Sequence, residues 1–258
     1  MDFRKQTQSI DLSGDWSFAY SDGPEDRLFS TGAELESAGY KTHPCTVPGN
    51  FELDLHRNGI VDEPFHGMNI AGLARYERSH VWYFRRFSAE EKPGFDAELV
   101  FEGLDCFADI YLNGEPVGST DNMLIEHAIC VNGLLHGDNE VLVHIRPAVE
   151  EAKRFDFPPS VGALGDFKEA LYVRKAPHMY GWDIMPRAVS AGIWRPAKIL
   201  YRPLERLEQV FLESSHIAAD GSSAHLTLHY STRIDGGCDD VYDIGIRGAC
   251  GDSVFSAR

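Results

Sequence analysis

The 258-residue chain is long enough for one large domain, or for one domain with part of another, and 43% hydrophobic with 11% aromatic residues supports a substantial core. Its 24 Lys and Arg against 40 Asp and Glu give a formal charge of −16. Such a surface repels phosphate backbones and anionic bilayers, which sets aside nucleic acid and membrane as partners and leaves a neutral ligand such as a sugar acceptable.

Strand signals dominate the chain. Trp16, Phe18 and Tyr20 alternate with smaller or polar residues after the Ser13-Gly14 break. Residues 30–38 predict a short helix, with Thr31 as N-cap and Glu34 three positions on as a capping box. The aromatic run from His80 to Phe87 predicts a strand, and Leu99 to Leu112 predicts two, broken at Gly103. Asn113-Gly114 supplies a hairpin turn, since both residues tolerate the positive φ of a type I′ turn. Val141, Val143 and Ile145 alternate with Leu142, His144 and Arg146, and Pro147 to Arg154 can form a turn of helix. Phe155 to Ala191 is irregular for a compact domain, yet its Trp, Tyr, His and Met argue for an ordered, functional connection. Ala197 to Tyr201 predicts a further strand ahead of Pro203.

After Pro203 the pattern becomes half-polar. Leu226, Leu228 and Tyr230, then Tyr242, Ile244 and Ile246, alternate with polar or small residues, as in an Ig-like sandwich. Residues 204–258 fall well short of the ~100 such a domain usually takes. The pattern as a whole is all-β: a sandwich or jelly roll, then the start of a second sandwich.

Five cysteines (Cys45, Cys106, Cys130, Cys238, Cys250) form an odd set without a CxxC pair, so no full disulfide framework or zinc spacing is expected. Cys106 and Cys130 lie in apolar strand-like runs and are expected as buried free thiols. The eleven histidines show no H-x-x-x-H cluster; neither metal nor cofactor is expected. Residues 1–6 lack the apolar core of a secretion signal and no run is long enough to cross a bilayer, so the expected location is cytoplasmic.

A series of ordered motifs resembles one known family. Val47-Pro48-Gly49 is followed by Gly59 to Asn69 (GIVDEPFHGMN), Trp82 to Phe87 (WYFRRF), Phe101 to Gly114 (FEGLDCFADIYLNG) and Gly137 to Leu142 (GDNEVL). These are similar to the early part of family 2 glycoside hydrolases. The run Arg174 to Asp183 (RKAPHMYGWD), continuing through Arg187 and ending in Ala191 to Pro196 (AGIWRP), resembles the β-mannosidase branch of that family. Two positions depart from it: Ile184 stands where that branch commonly has a second Trp, and Cys106 where the family often has Thr.

The resemblance implies a galactose-binding-like jelly roll over residues 1–203, followed by an incomplete Ig-like sandwich over 204–258. It also implies a retaining exo-β-glycosidase whose two catalytic Glu residues lie on a TIM barrel absent from this chain. Retaining chemistry needs two carboxyls about 5 Å apart across the scissile bond. The neighbouring acids here, Glu90-Glu91, Glu150-Glu151 and Asp239-Asp240, read as solvated surface groups, so this chain is expected to catalyse nothing alone.

By resemblance, Trp182 and Asp183 serve the terminal-sugar subsite. The indole offers a flat face to a pyranose, and the carboxylate accepts two adjacent hydroxyls as a directional, charge-assisted clamp. Residue type alone points instead to packing for Trp182 and turn capping for Asp183. Arg187 can orient Asp183, touch the sugar, or form an ordinary salt bridge. Arg174 and Lys175 flank and anchor the loop, His178 and Tyr180 line its mouth, and Asn122-Met123 is structural. The expected partners are a terminal β-linked sugar and the protein's own barrel, docked on an exposed apolar patch. A stand-alone lectin-like module is the alternative; it would need a self-contained groove with several aromatic platforms.

Overall fold

The computed structural model describes residues 6–23, 25, 27–158, 160, 169–181, 185–234 and 243–257, apart from the side chains of residues 255 and 257. Two compact units form, one from Gln6 to Arg202 and one from Pro203 onward.

The larger unit runs β1 (Gln8–Asp11), β2 (Gly14–Tyr20), α1 (Gly32–Ser37), β3 (His43–Val47), α2 (Phe51–Arg57), β4 (Val81–Glu90), β5 (Phe95–Phe101), β6 (Leu104–Asp105), β7 (Phe107–Leu112), β8 (Glu115–Asp121), β9 (His127–Cys130), β10 (His136–Arg146), α3 (Ala148–Glu151), β11 (Gly192–Ile193) and β12 (Ala197–Pro203). A four-stranded sheet in the order β1-β12-β5-β9 faces a six-stranded sheet in the order β3-β2-β4-β10-β7-β8. The described pairings within both sheets are antiparallel.

Alternation decides which side chains fill the core. Val141, Val143 and Ile145 of β10 point inward with Phe18, Tyr83 and Ile110, meeting Leu99, Phe101, Ile199 and Tyr201 of the other sheet. The opposite face of β10 is buried too: Leu142 packs with Ala19, Phe29, Leu35 and Trp82, and His144 stacks on Trp82 at 5.0 Å. The segment carrying α1 covers this face, which is why a strand that alternates in sequence is buried on both sides. In the turn between β7 and β8, Asn113 and Gly114 take φ values of 55° and 85°, as the Asn-Gly pair predicts.

Several elements differ from expectation. In α1 the Thr31 hydroxyl accepts from the Glu34 amide at 3.3 Å, but the Glu34 carboxylate accepts from the amide of Ser30, at 2.7 Å, one residue ahead of the cap. Helix α2 and a 3₁₀ segment over Asn69–Tyr76 were not legible as helices. The α2 signal is brief: the Asn50 side chain caps Leu53 at 3.0 Å, and Phe51 and Leu55 are buried one turn apart. Cys106 is buried, but Cys130 is exposed, because it ends the short edge strand β9.

The second unit contains two antiparallel pairs, β13 (Arg206–Ile217) with β14 (Ala224–Arg233), and β15 (Ile246–Cys250) with β16 (Ser253–Ala257). Strand β13 was not anticipated, Ile244 precedes β15 rather than lying in it, and Tyr242 falls outside the described residues. Among the described residues no helix is long and apolar enough to cross a membrane.

Candidate functional site

The loop singled out by sequence leaves the sandwich at Arg174 and returns at Trp194. Trp182, Asp183 and Ile184 lie outside the described residues; Arg187 and both ends of the loop are within them.

The outgoing end is held by Met123. Asn122 and Arg174 form an isolated parallel bridge, the Met123 amide donates to the Arg174 carbonyl at 2.9 Å, and the Ala176 amide donates to the Met123 sulfur at 3.1 Å. Pro177 then starts a 3₁₀ turn over Pro177–Tyr180, which stops at Gly181, whose φ of 84° a side chain would resist. Tyr180 is buried with Cys106, Phe107, Met123 and Val189 in a small core beneath the loop, so it packs there instead of lining a pocket mouth. His178 is exposed. The Ala188 amide donates to the Met179 carbonyl at 2.9 Å and folds the loop back on itself.

The returning end is strapped to α2 and β6. The amides of Phe51 and Gly49 donate to the carbonyls of Ala191 and Ile193 at 2.8 and 3.0 Å, and β11 pairs with β6, Gly192 opposite Asp105. A Cβ at Gly192 would sit 2.8 Å from the backbone of Asn50 and Gly49, so only glycine permits this approach. Trp194 closes the loop, its indole donating to the Met123 carbonyl at 3.1 Å. Gly103 makes room for that ring, since a Cβ there would lie 2.6 Å from the indole nitrogen.

A buried polar cluster joins the two ends. The Lys175 side chain is inaccessible, and its ammonium donates to both Asp105 carboxylate oxygens and to the Ser190 carbonyl, each at 2.5 Å. An ammonium has three protons, so these contacts satisfy it. Burial pushes the Asp105 carboxyl above its ordinary range, and the Lys175 charge pulls it back. Beside them the Ser190 hydroxyl donates to Glu52 at 2.5 Å. Burial pushes Glu52 up to about 7, opposed mainly by that hydrogen bond, with Lys175 lowering it and Asp105 raising it. Two residues further along α2, burial pushes Asp54 up to about 6 against the pull of Arg57, 3.0 Å away.

Arg187 is engaged from outside the loop. Its guanidinium forms a bidentate fork with Glu77, Nε to Oε1 and Nη2 to Oε2 both at 2.8 Å, and approaches Glu169 at 3.4 Å. It also lies 5.7 Å over the Tyr180 ring, half-buried. Glu52, Glu77, Asp105 and Ser190 were missed in the sequence. The one available signal was Asp105, an acid set inside an otherwise apolar strand run.

The neighbouring acids resolve into structural pairs. Glu150 meets Arg78 at 3.1 Å and Lys153 at 2.5 Å. Glu151, expected as a solvated group, is buried and paired with Arg146 at 3.4 Å and Arg154 at 2.6 Å. Glu91 accepts from the amides of Gly133 and Leu135 at 2.9 and 3.2 Å, and Asp239-Asp240 fall outside the described residues. Among the described residues no group of three or more His, Cys, Asp or Glu is set to hold a metal ion.

Residues 16–195 match the family described as glycosyl hydrolase 2 galactose-binding domain-like. The chain is similar to β-mannosidase B of Emericella nidulans, 34% identical over 70% of this chain and 22% of that protein. It is also similar to β-mannosidase B of Thermothelomyces thermophilus, 29% identical over 80% of this chain and 23% of that one. Among solved structures it resembles the β-D-mannosidase of Dictyoglomus thermophilum, with a TM-score of 0.70 and 29% identity over 86% of this chain and 26% of that chain. The chain therefore spans roughly a fifth of the length of the two β-mannosidases B it matches.

Proposed function

The chain belongs to the glycosyl hydrolase 2 galactose-binding domain-like family, and from that premise we propose that it is the N-terminal, non-catalytic part of a retaining exo-β-glycosidase of the β-mannosidase type. Its role is to present the 176–189 loop to the terminal sugar of a β-linked glycoside, with Trp182 stacking on the ring and Asp183 accepting two hydroxyls. Acid/base and nucleophilic steps belong to carboxylates of a catalytic barrel elsewhere in the intact protein.

The observation that carries this reading is the investment at the base of the loop. A segment joined by a buried ion pair, a buried carboxyl and a Trp194 clasp is a rigid mount, and a directional hydroxyl clamp requires one. Arg187, in this reading, borders the same subsite. Its bidentate fork on Glu77 fixes the guanidinium. Phe65 and Met68, 78% and 79% exposed, together with exposed Leu171 and Tyr172, are candidates for the apolar surface that meets the barrel.

The test is an assay of the full gene product on aryl β-mannoside, β-galactoside and β-glucuronide, repeated with Trp182→Ala. Cleavage of one of these, with a raised KM in the variant, supports the reading. Glycan binding with no hydrolysis of any β-glycoside would replace it with the lectin-like alternative.

A further inference from the structure

We propose that Lys175 is a positioning residue for the terminal-sugar subsite, fixing the spacing between the two ends of the loop that carries Trp182 and Asp183. The inference rests on the subsite reading above and goes beyond it by assigning the loop's geometry to one buried cation.

Three observations converge on Lys175. It sits at the first position inside the loop, and its ammonium reaches the carbonyl of Ser190, fifteen residues on, at 2.5 Å. The same ammonium is anchored on Asp105, which pairs in register with Gly192 two residues beyond Ser190. The ring so closed is therefore referenced to β6, and through Glu52 and Ser190 to α2. The other links across the loop, the Ala188 amide on Met179 and the Trp194 indole on Met123, lie above and below this point. Lys175 thus holds the width of the base while they hold its ends.

Stability alone does not account for such a pair. Taking a lysine and an aspartate out of water costs more than their attraction returns unless the geometry is excellent, and apolar residues of similar volume often serve stability as well or better. An ammonium with three fixed acceptors does what an apolar plug cannot: it sets the distance between three backbone segments. For a carboxylate clamp that must meet two hydroxyls at once, a displacement of 1 Å is costly.

The experiment uses the full gene product with Lys175→Met, Asp105→Asn and the double variant Lys175→Met/Asp105→Asn, which removes both charges of the ion pair. Hydrogen exchange is followed at the amides of 176–189 and of β10, and kcat and KM are measured on the aryl glycoside the enzyme cleaves. In the folded double variant, the loop amides should exchange faster while β10 keeps its protection. kcat/KM should fall by about 100-fold, mainly through KM. Unchanged loop exchange in a folded double variant overturns the positioning role outright. Faster loop exchange with unchanged KM also overturns it, and assigns the failure to the subsite reading rather than to the pin. Should Lys175→Met alone not fold, the double variant carries the test.

Discussion

At the scale of single residues, two buried carboxyls of α2 make this fold sensitive to pH in an unusual direction. Glu52 moves from an ordinary 4.5 up to about 7, and Asp54 from 3.8 up to about 6, both through burial. The folded state therefore binds more protons than the unfolded chain between about pH 4 and 7. Stability from these groups is full at the acidic end and is lost as pH rises through the folded values. Thermal midpoints should accordingly decline between pH 5 and 8. Glu52→Gln keeps an acceptor for the Ser190 hydroxyl without titrating, so its decline should be shallower, with the remainder left to Asp54; equal slopes would show that Glu52 is not the group responsible. None of this was legible beforehand. Glu52 looks like an ordinary helix-surface acid until Ser190, 138 residues away, is placed against it. Lys175 was expected to anchor the loop, but its partner Asp105 lies 70 residues upstream, and no local pattern encodes that distance.

Elements were legible where their signals are local and periodic. Strands β2, β4, β7, β10 and β12 follow from alternation or aromatic and apolar runs, β1 and β3 were not legible, and the β7–β8 turn follows from Asn113-Gly114 because those two residues tolerate positive φ. Helix α2 hid, since its seven residues offer a single N-cap and three apolar positions, Phe51, Leu53 and Leu55, spaced two apart as in a strand. The cap is testable: Asn50→Ala removes the bond to the Leu53 amide and should cost about 1 kcal/mol in denaturant unfolding. The Trp194 clasp makes a second prediction. Gly103→Ala places a methyl group 2.6 Å from the indole nitrogen, forcing Trp194 off the Met123 carbonyl. The expected loss is about 1–3 kcal/mol, the cost of overpacking, together with a change in Trp fluorescence. A variant with the parental midpoint and spectrum would mean that the ring moves aside freely. The loop itself was legible as a motif but not as a geometry, because its mount is built from β6, α2 and Met123, each contributed by a different part of the chain.

At the scale of the whole molecule, the two units differ in how they are held. Gln6 to Arg202 closes a two-sheet core, whereas β13–β14 leaves Leu207, Val210, Phe211, Leu212 and Tyr230 exposed. A two-stranded ribbon without a buried face is marginal in water. A chain ending at Pro203 should therefore melt at the same midpoint as the 258-residue chain, and the β13–β14 amides of the longer chain should exchange rapidly; a lower midpoint after truncation would assign the second unit a stabilising role. On the proposed function, the larger unit serves catalysis through the loop it mounts, and the sharpest test is kcat/KM of the full gene product with Asp183→Ala, on whichever aryl β-glycoside it hydrolyses. A folded enzyme with kcat/KM reduced roughly 10²-fold or more is expected, the loss of two hydrogen bonds to a charged acceptor. Parental kcat/KM in that variant would contradict it, reducing Trp182 and Asp183 to packing and this domain to scaffold.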